Sequence, residues 1–128
     1  MVLIIKYQRC TWRLRDLDVF MEMPLGNIRK LWRWMFKDIS RNSEPIAAIR
    51  EWLPNIIAET GADVSKAEAE KVRTWNVFTS CPEWQKDAIK KARKDMRDAD
   101  ARFKEARREH ERANKLKNIF NEFLAKYQ

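Results

Sequence analysis

Glycine is nearly missing from this chain: two residues in 128, beside four prolines, two cysteines and one histidine. So few chain-breakers exclude a loop-rich or many-stranded fold and favour long regular elements. Cys10 and Cys81 lie far apart and form no CxxC pair, and His110 stands alone, so a zinc site has almost no ligands to draw on. The two thiols fit a reducing compartment better than a disulfide. No apolar run approaches a membrane span. The opening MVLIIKY is short and lacks a basic leader or a small-residue cleavage site, so it is read as neither signal nor anchor. Also missing are a nucleophile elbow, a phosphate-cradling glycine loop, an HExxH and any paired histidines. The expectation is a soluble, cytoplasmic, non-enzymatic protein with no cofactor and no metal.

What is present is charge and tryptophan. Charged residues make up 36% and hydrophobic residues 45%, with six tryptophans and a net charge of +8. The apolar fraction is too high for a disordered chain, and the tryptophans supply core bulk that so short a chain otherwise lacks. The balance of charge points to an anionic partner, either nucleic acid or an acidic protein surface. One domain is expected over 1–128, with a tryptophan-rich β/helical core in 1–80 and a long basic helix in 81–128.

Val2 to Leu14 is β-branched and aromatic, with Cys10, Trp12 and Leu14 alternating with polar neighbours, and reads as a strand. Its best partner by composition is Thr74–Thr79, TWNVFT, whose Trp75 and Phe78 equally suit the end of a helix. Residues 27–39 place Ile28, Leu31, Trp32, Met35 and Ile39 at helical spacing. Asn42 and Ser43 signal a stop and a new start, with Pro45 in the first turn of a helix carrying Ile46, Ile49, Trp52 and Leu53. Pro54 is expected to break or kink that helix and Gly61 to close it. Ser65 to Glu68 reads as a capping box opening a short helix, and Ser80 to Glu83 as another. From Pro82 to Lys126 nothing interrupts a helix of roughly 45 residues, about 67 Å long.

That last helix has a thin seam. Ala92, Ala99, Ala106 and Ala113 recur every seven residues, alternating with Ile89, Met96, Phe103 and His110 in a heptad pattern. Small residues so placed let another backbone come close, which favours an antiparallel neighbour. That neighbour is either the helices of 27–39 and 43–60 or a second copy, so a homodimer stays open. His110 falls on the seam and reads as a packing residue. A shortened step then leads into Leu116, Phe120, Phe123 and Tyr127, which look like core. The fold class is therefore mainly α, with a short N-terminal β element, a small helical core and a long heptad-patterned C-terminal helix.

The outer face of the same helix is basic. Lys90, Lys94, Arg97, Lys104, Arg108 and Lys115 form a stripe about 37 Å long that suits a row of phosphates or an acidic groove. A second cluster, Lys6, Arg9, Arg13 and Arg15, has no acid among it. In RKLWRWMFK, residues 29–37, Trp32 and Met35 belong to the core stripe while Trp34 falls off it and is a candidate partner contact.

IIAETGADVSKAEAEKV, residues 56–72, resembles the helix-turn-helix family of DNA-binding motifs. Gly61 stands at the turn and Ser65 at the start of the second helix. The turn is lengthened by Ala62-Asp63, and the second helix offers two glutamates, Glu68 and Glu70, beside Lys66, Lys71 and Arg73. The resemblance implies a DNA-binding regulator. The favoured reading is a small basic protein that docks on a nucleic-acid-handling complex or its nucleic acid. In size and character it is similar to phage-type inhibitors of host defence nucleases. A coiled-coil assembly protein is the remaining alternative.

Overall fold

The computed structural model describes residues 3–7, 10–14, 17–38 and 44–127, with side chains from 17–37 and 45–127. The chain is mainly helical: α1 (Leu25–Asp38), α2 (Glu44–Ser80) and α3 (Lys86–Lys126), preceded by a 3-10 turn at Leu17–Met21. The backbone segments β1 (Leu3–Tyr7) and β2 (Cys10–Leu14) pair antiparallel, with Leu3 opposite Leu14 and Tyr7 opposite Cys10. The pairing of this segment with Thr74–Thr79 does not occur, because those residues are helical.

The largest departure from expectation is α2, one helix of 37 residues where three shorter elements were expected. Pro54 lies inside it without ending it. Proline removes one N–H from the ladder, but Pro54 is exposed, so water can reach the carbonyl that loses its partner. Buried Ile49 and Leu53 before it, and half-buried Ile56 and Ile57 after it, hold one apolar face across the break. Gly61 does not close the helix either, and Ser65 opens nothing; both are interior positions. The turn that the helix-turn-helix resemblance requires is therefore absent.

The chain forms two compact units, residues 1–57 with 112–128 and residues 58–111. In the first, α1 buries Ile28, Leu31, Trp32, Met35 and Phe36 against Ile46, Ile49 and Leu53 of α2 and Leu116, Ile119, Phe120 and Phe123 of α3. Trp32 is its centre, meeting Phe20 edge-on at 5.4 Å and Phe120 edge-on at 5.9 Å between ring centroids. Phe36 continues the aromatic chain to Phe120, Phe123 and Tyr127. Two polar ties fix the segment before α1. The Trp52 Nε1–H donates to Asp18, and Arg112 Nη2 donates to the carbonyls of Phe20 and Met23. Burial pushes the Arg112 guanidinium below its usual range, although it stays a cation at any ordinary pH.

The second unit is an antiparallel helical pair, residues 58–80 of α2 against 86–111 of α3. Its contacts advance along one helix as they recede along the other. Thr60 Oγ1 lies 3.0 Å from His110 Nδ1, Lys71 Nζ lies 3.2 Å from Asp100, and the Arg93 guanidinium covers the Phe78 ring. Ala92 and Ala99 are buried and Ala106 half-buried, so α2 covers this part of the alanine seam within the chain. Ala113, equally buried, belongs to the first unit. The surprise is that α2 has a matching seam. Thr60, Ala67 and Thr74, followed by Cys81 just past its end, also recur every seven residues, and Thr60 and Thr74 are buried. Buried Thr74 satisfies its hydroxyl by donating to the Lys71 carbonyl one turn back.

Gly61 has its own reason. A Cβ there would sit 3.3 Å from His110 Cε1, so the missing side chain makes room for the imidazole. Two effects then compete in Gly61→Ala. Alanine favours a helix interior over glycine by about 1 kcal/mol, while the new methyl group presses on His110. In a His110→Ala background the full gain is expected, and in wild type a clearly smaller one, by urea unfolding followed at 222 nm. Equal gains in both backgrounds would show that the ring does not press on this position.

Candidate partner-binding surface

Charge is distributed unevenly between the units. Residues 1–57 with 112–128 hold fourteen Lys and Arg against seven Asp and Glu, a net +7. Residues 58–111 hold thirteen against twelve, a net +1. The second unit is thus nearly neutral overall, yet strongly segregated. On α3, Lys90, Lys94, Arg97, Lys104 and Arg108 are all exposed on one side, over about 27 Å at 1.5 Å per residue. Lys104 is tied to Asp100 at 3.1 Å. Lys90, Lys94, Arg97 and Arg108 have no ion pair with a described residue.

Asp100 is the one carboxylate set into this side that is doubly used. Hydrogen bonds from Lys104 and then Lys71 hold its carboxyl below the usual aspartate range. The opposite flank is where acids gather: Asp63, Glu70, Glu105 and Glu109 line a shallow depression with Lys66 and Arg102. There Glu70 is held below the usual glutamate range by its hydrogen bonds from Arg73, one turn along α2.

The remaining expected site residues fall elsewhere. Lys115 is exposed in the first unit, beside Arg29 and Glu122, which pair at 3.3 Å. Trp34 is half-buried and packs against the core of that unit. The side chains of Lys6, Arg9, Arg13 and Arg15 lie outside the described residues. Cys81 carries a free, half-buried thiol.

Two groups escaped the sequence reading. On α1, Lys30, Arg33 and Lys37 are exposed at steps of three and four, opposite the buried Leu31, Trp32 and Met35. Attention to the tryptophans of residues 29–37 hid that row. On α2, Val72 and Trp75 are each 54% exposed. Trp75 was read within Thr74–Thr79, as a strand partner or the end of a helix, and only the unbroken helix shows that it falls off the Thr60–Thr74 seam. With Met96 and Phe103 of α3 they line an open apolar groove of about 540 Å³.

Among the described residues no cluster of three or more His, Cys, Asp or Glu is arranged to hold a metal ion, and no helix is long and apolar enough to cross a membrane. Comparison of the chain with protein-family models, with curated proteins and with solved structures gives no match in any of the three.

Proposed function

We propose that this is a non-enzymatic binding protein that docks on nucleic acid, or on the complex that holds it, through the basic side of α3, in the manner of a small inhibitor. The observation that carries this reading is the exposed row Lys90, Lys94, Arg97 and Arg108, aligned on one helix and left without ion pairs among the described residues. Cations on a rigid helix can follow phosphates and release their counterions, which supplies affinity without sequence preference. The unbroken α2 removes the alternative of a recognition helix at 65–72.

The test is a salt series with a generic DNA duplex and a single strand. It compares wild type with Lys90, Lys94, Arg97, Lys104 and Arg108 all changed to Glu. Four or five phosphate contacts predict a slope of roughly −4 in log affinity against log salt on the duplex, absent in the variant. Wild type that barely binds at low salt would remove nucleic acid as the direct partner.

A further inference from the structure

The basic side of α3 borders the apolar groove, and the two together are not what a phosphate-tracking face requires. We infer that the groove between α2 and α3 takes the apolar face of an acidic amphipathic helix from a partner protein. The inference goes beyond the proposed function and stands on a separate observation. The helical pair leaves Val72 and Trp75 more than half exposed beside the half-buried Met96 and Phe103, so four large apolar side chains meet in one place, whereas the exposed Val77 and Trp84 lie outside the groove. Large apolar side chains gathered in one such place mark an interaction surface.

The dimensions suit a helix. Met96 and Phe103 lie two turns apart on α3, about 10 Å, and Val72 and Trp75 one turn apart on α2. That spacing receives side chains at i, i+3 or i+4, and i+7 of an incoming helix. The charges suit an acidic one. Asp100 is engaged by both Lys71 and Lys104 and so offers little further negative charge. Glu68 is the one other acid lining the groove, whereas Arg97 lines it and Arg93 stands one turn away on the same side of α3. The combination of a methionine, three other apolar residues and, along the α3 border, Arg97 with Arg93 beyond it recognises carboxylates flanking leucine- or phenylalanine-sized anchors.

Two other occupants fit less well. A second copy laid groove to groove would set Arg93 and Arg97 against their own counterparts. A second copy offering its acidic flank would bring only Ala67, Ala99 and Ala106 as apolar contacts there. Single-stranded nucleic acid would need a row of stacking faces, and the groove presents one widely exposed indole, the Phe103 ring being half-buried and covered by Lys71 and Arg107.

The experiment uses the full chain and three labelled probes. The first is a 16-residue helical peptide with leucines at i, i+4 and i+7 and glutamates beside them. The second has lysine for each glutamate, and the third is an oligo-dT strand. Fluorescence anisotropy is expected to show binding of the acidic peptide and not of its lysine counterpart. Trp75→Ala is expected to weaken it by about tenfold or more. The pair Arg93→Glu with Arg97→Glu is expected to do the same and to shift preference toward the lysine peptide. Trp84→Ala, which removes a still more exposed indole outside the groove, is expected to leave it within about twofold. Both tryptophans are surface residues, so retained helicity at 222 nm separates lost binding from lost fold. Absence of acidic-peptide binding overturns the inference, as does equal binding by Trp75→Ala. Oligo-dT binding that depends on Trp75 also overturns it and makes the groove a base-stacking site. Trp75→Ala removes no charge, so the salt slope on duplex DNA reports separately on the basic row.

Discussion

Trp32→Ala is expected to destabilise the protein by about 3–5 kcal/mol, the largest effect of any single truncation among the described side chains. The indole is fully buried, with Phe20 and Phe120 edge-on against it, so its removal leaves a cavity that three separate segments would have to collapse to fill. Partial relaxation adds a void term to the lost transfer energy. Against a typical domain stability of roughly 5–15 kcal/mol, that removes a large share of the total. Trp32→Phe should be much milder. The Trp32 Nε1–H makes no hydrogen bond to any described residue, so phenylalanine gives up area but no polar interaction. Urea unfolding monitored at 222 nm checks both. If Trp32→Ala changed stability no more than the exposed Trp84→Ala, the aromatic cluster would not be the centre of this core.

Ala99→Leu is expected to be the most damaging change in the second unit, and for the opposite reason. The position is 1% exposed and faces a helix that is itself lined with threonine and alanine, so a leucine must press on α2 or turn toward the shallow depression that Ala99 borders with Ala67 and Ala106. Overpacking of this kind typically costs about 1–3 kcal/mol and displaces backbone. The same substitution at Ala101, two residues along and exposed, should be nearly neutral, because leucine is as good a helix former as most. The comparison isolates the seam from helix propensity. Equal stability of the two variants by thermal unfolding would mean that the helices do not approach closely at Ala99.

How much of this was legible beforehand depended on residue size. α1 and α3 were readable because Ile28, Leu31, Trp32 and Met35, and then Leu116, Phe120 and Phe123, repeat at helical spacing with large side chains. The alanine seam was readable because nothing else in α3 is so regular. α2 was not. Pro54, Gly61 and the Ser65–Glu68 capping box are local stop and start signals, and each was outvoted by burial on either side of it. The seam of Thr60, Ala67 and Thr74, continued by Cys81 just past α2, is made of small residues without the bulk that marks a buried helix face, although its seven-residue step was there to be found. The exposure of Val72 and Trp75 follows from that seam, so it was lost with it. The basic side of α3 could be located from sequence, but its neighbouring groove could not.

The division of the chain sets an order of assembly. In the second unit everything comes from one contiguous stretch, and a representative contact, Thr60 with His110, spans 50 residues. The first unit joins stretches on either side of it: Arg112 reaches back 92 residues to Phe20, and Arg29 is separated by 93 from Glu122. Closing the longer loops costs more chain entropy before any contact repays it. On the ribosome, Leu116, Phe120 and Phe123 emerge only after residues 58–111 have been made, so the helical pair can form while Trp32 still lacks half of its neighbours. The tryptophan-rich half therefore spends its synthesis exposed, and it is the half that a nascent-chain chaperone would meet.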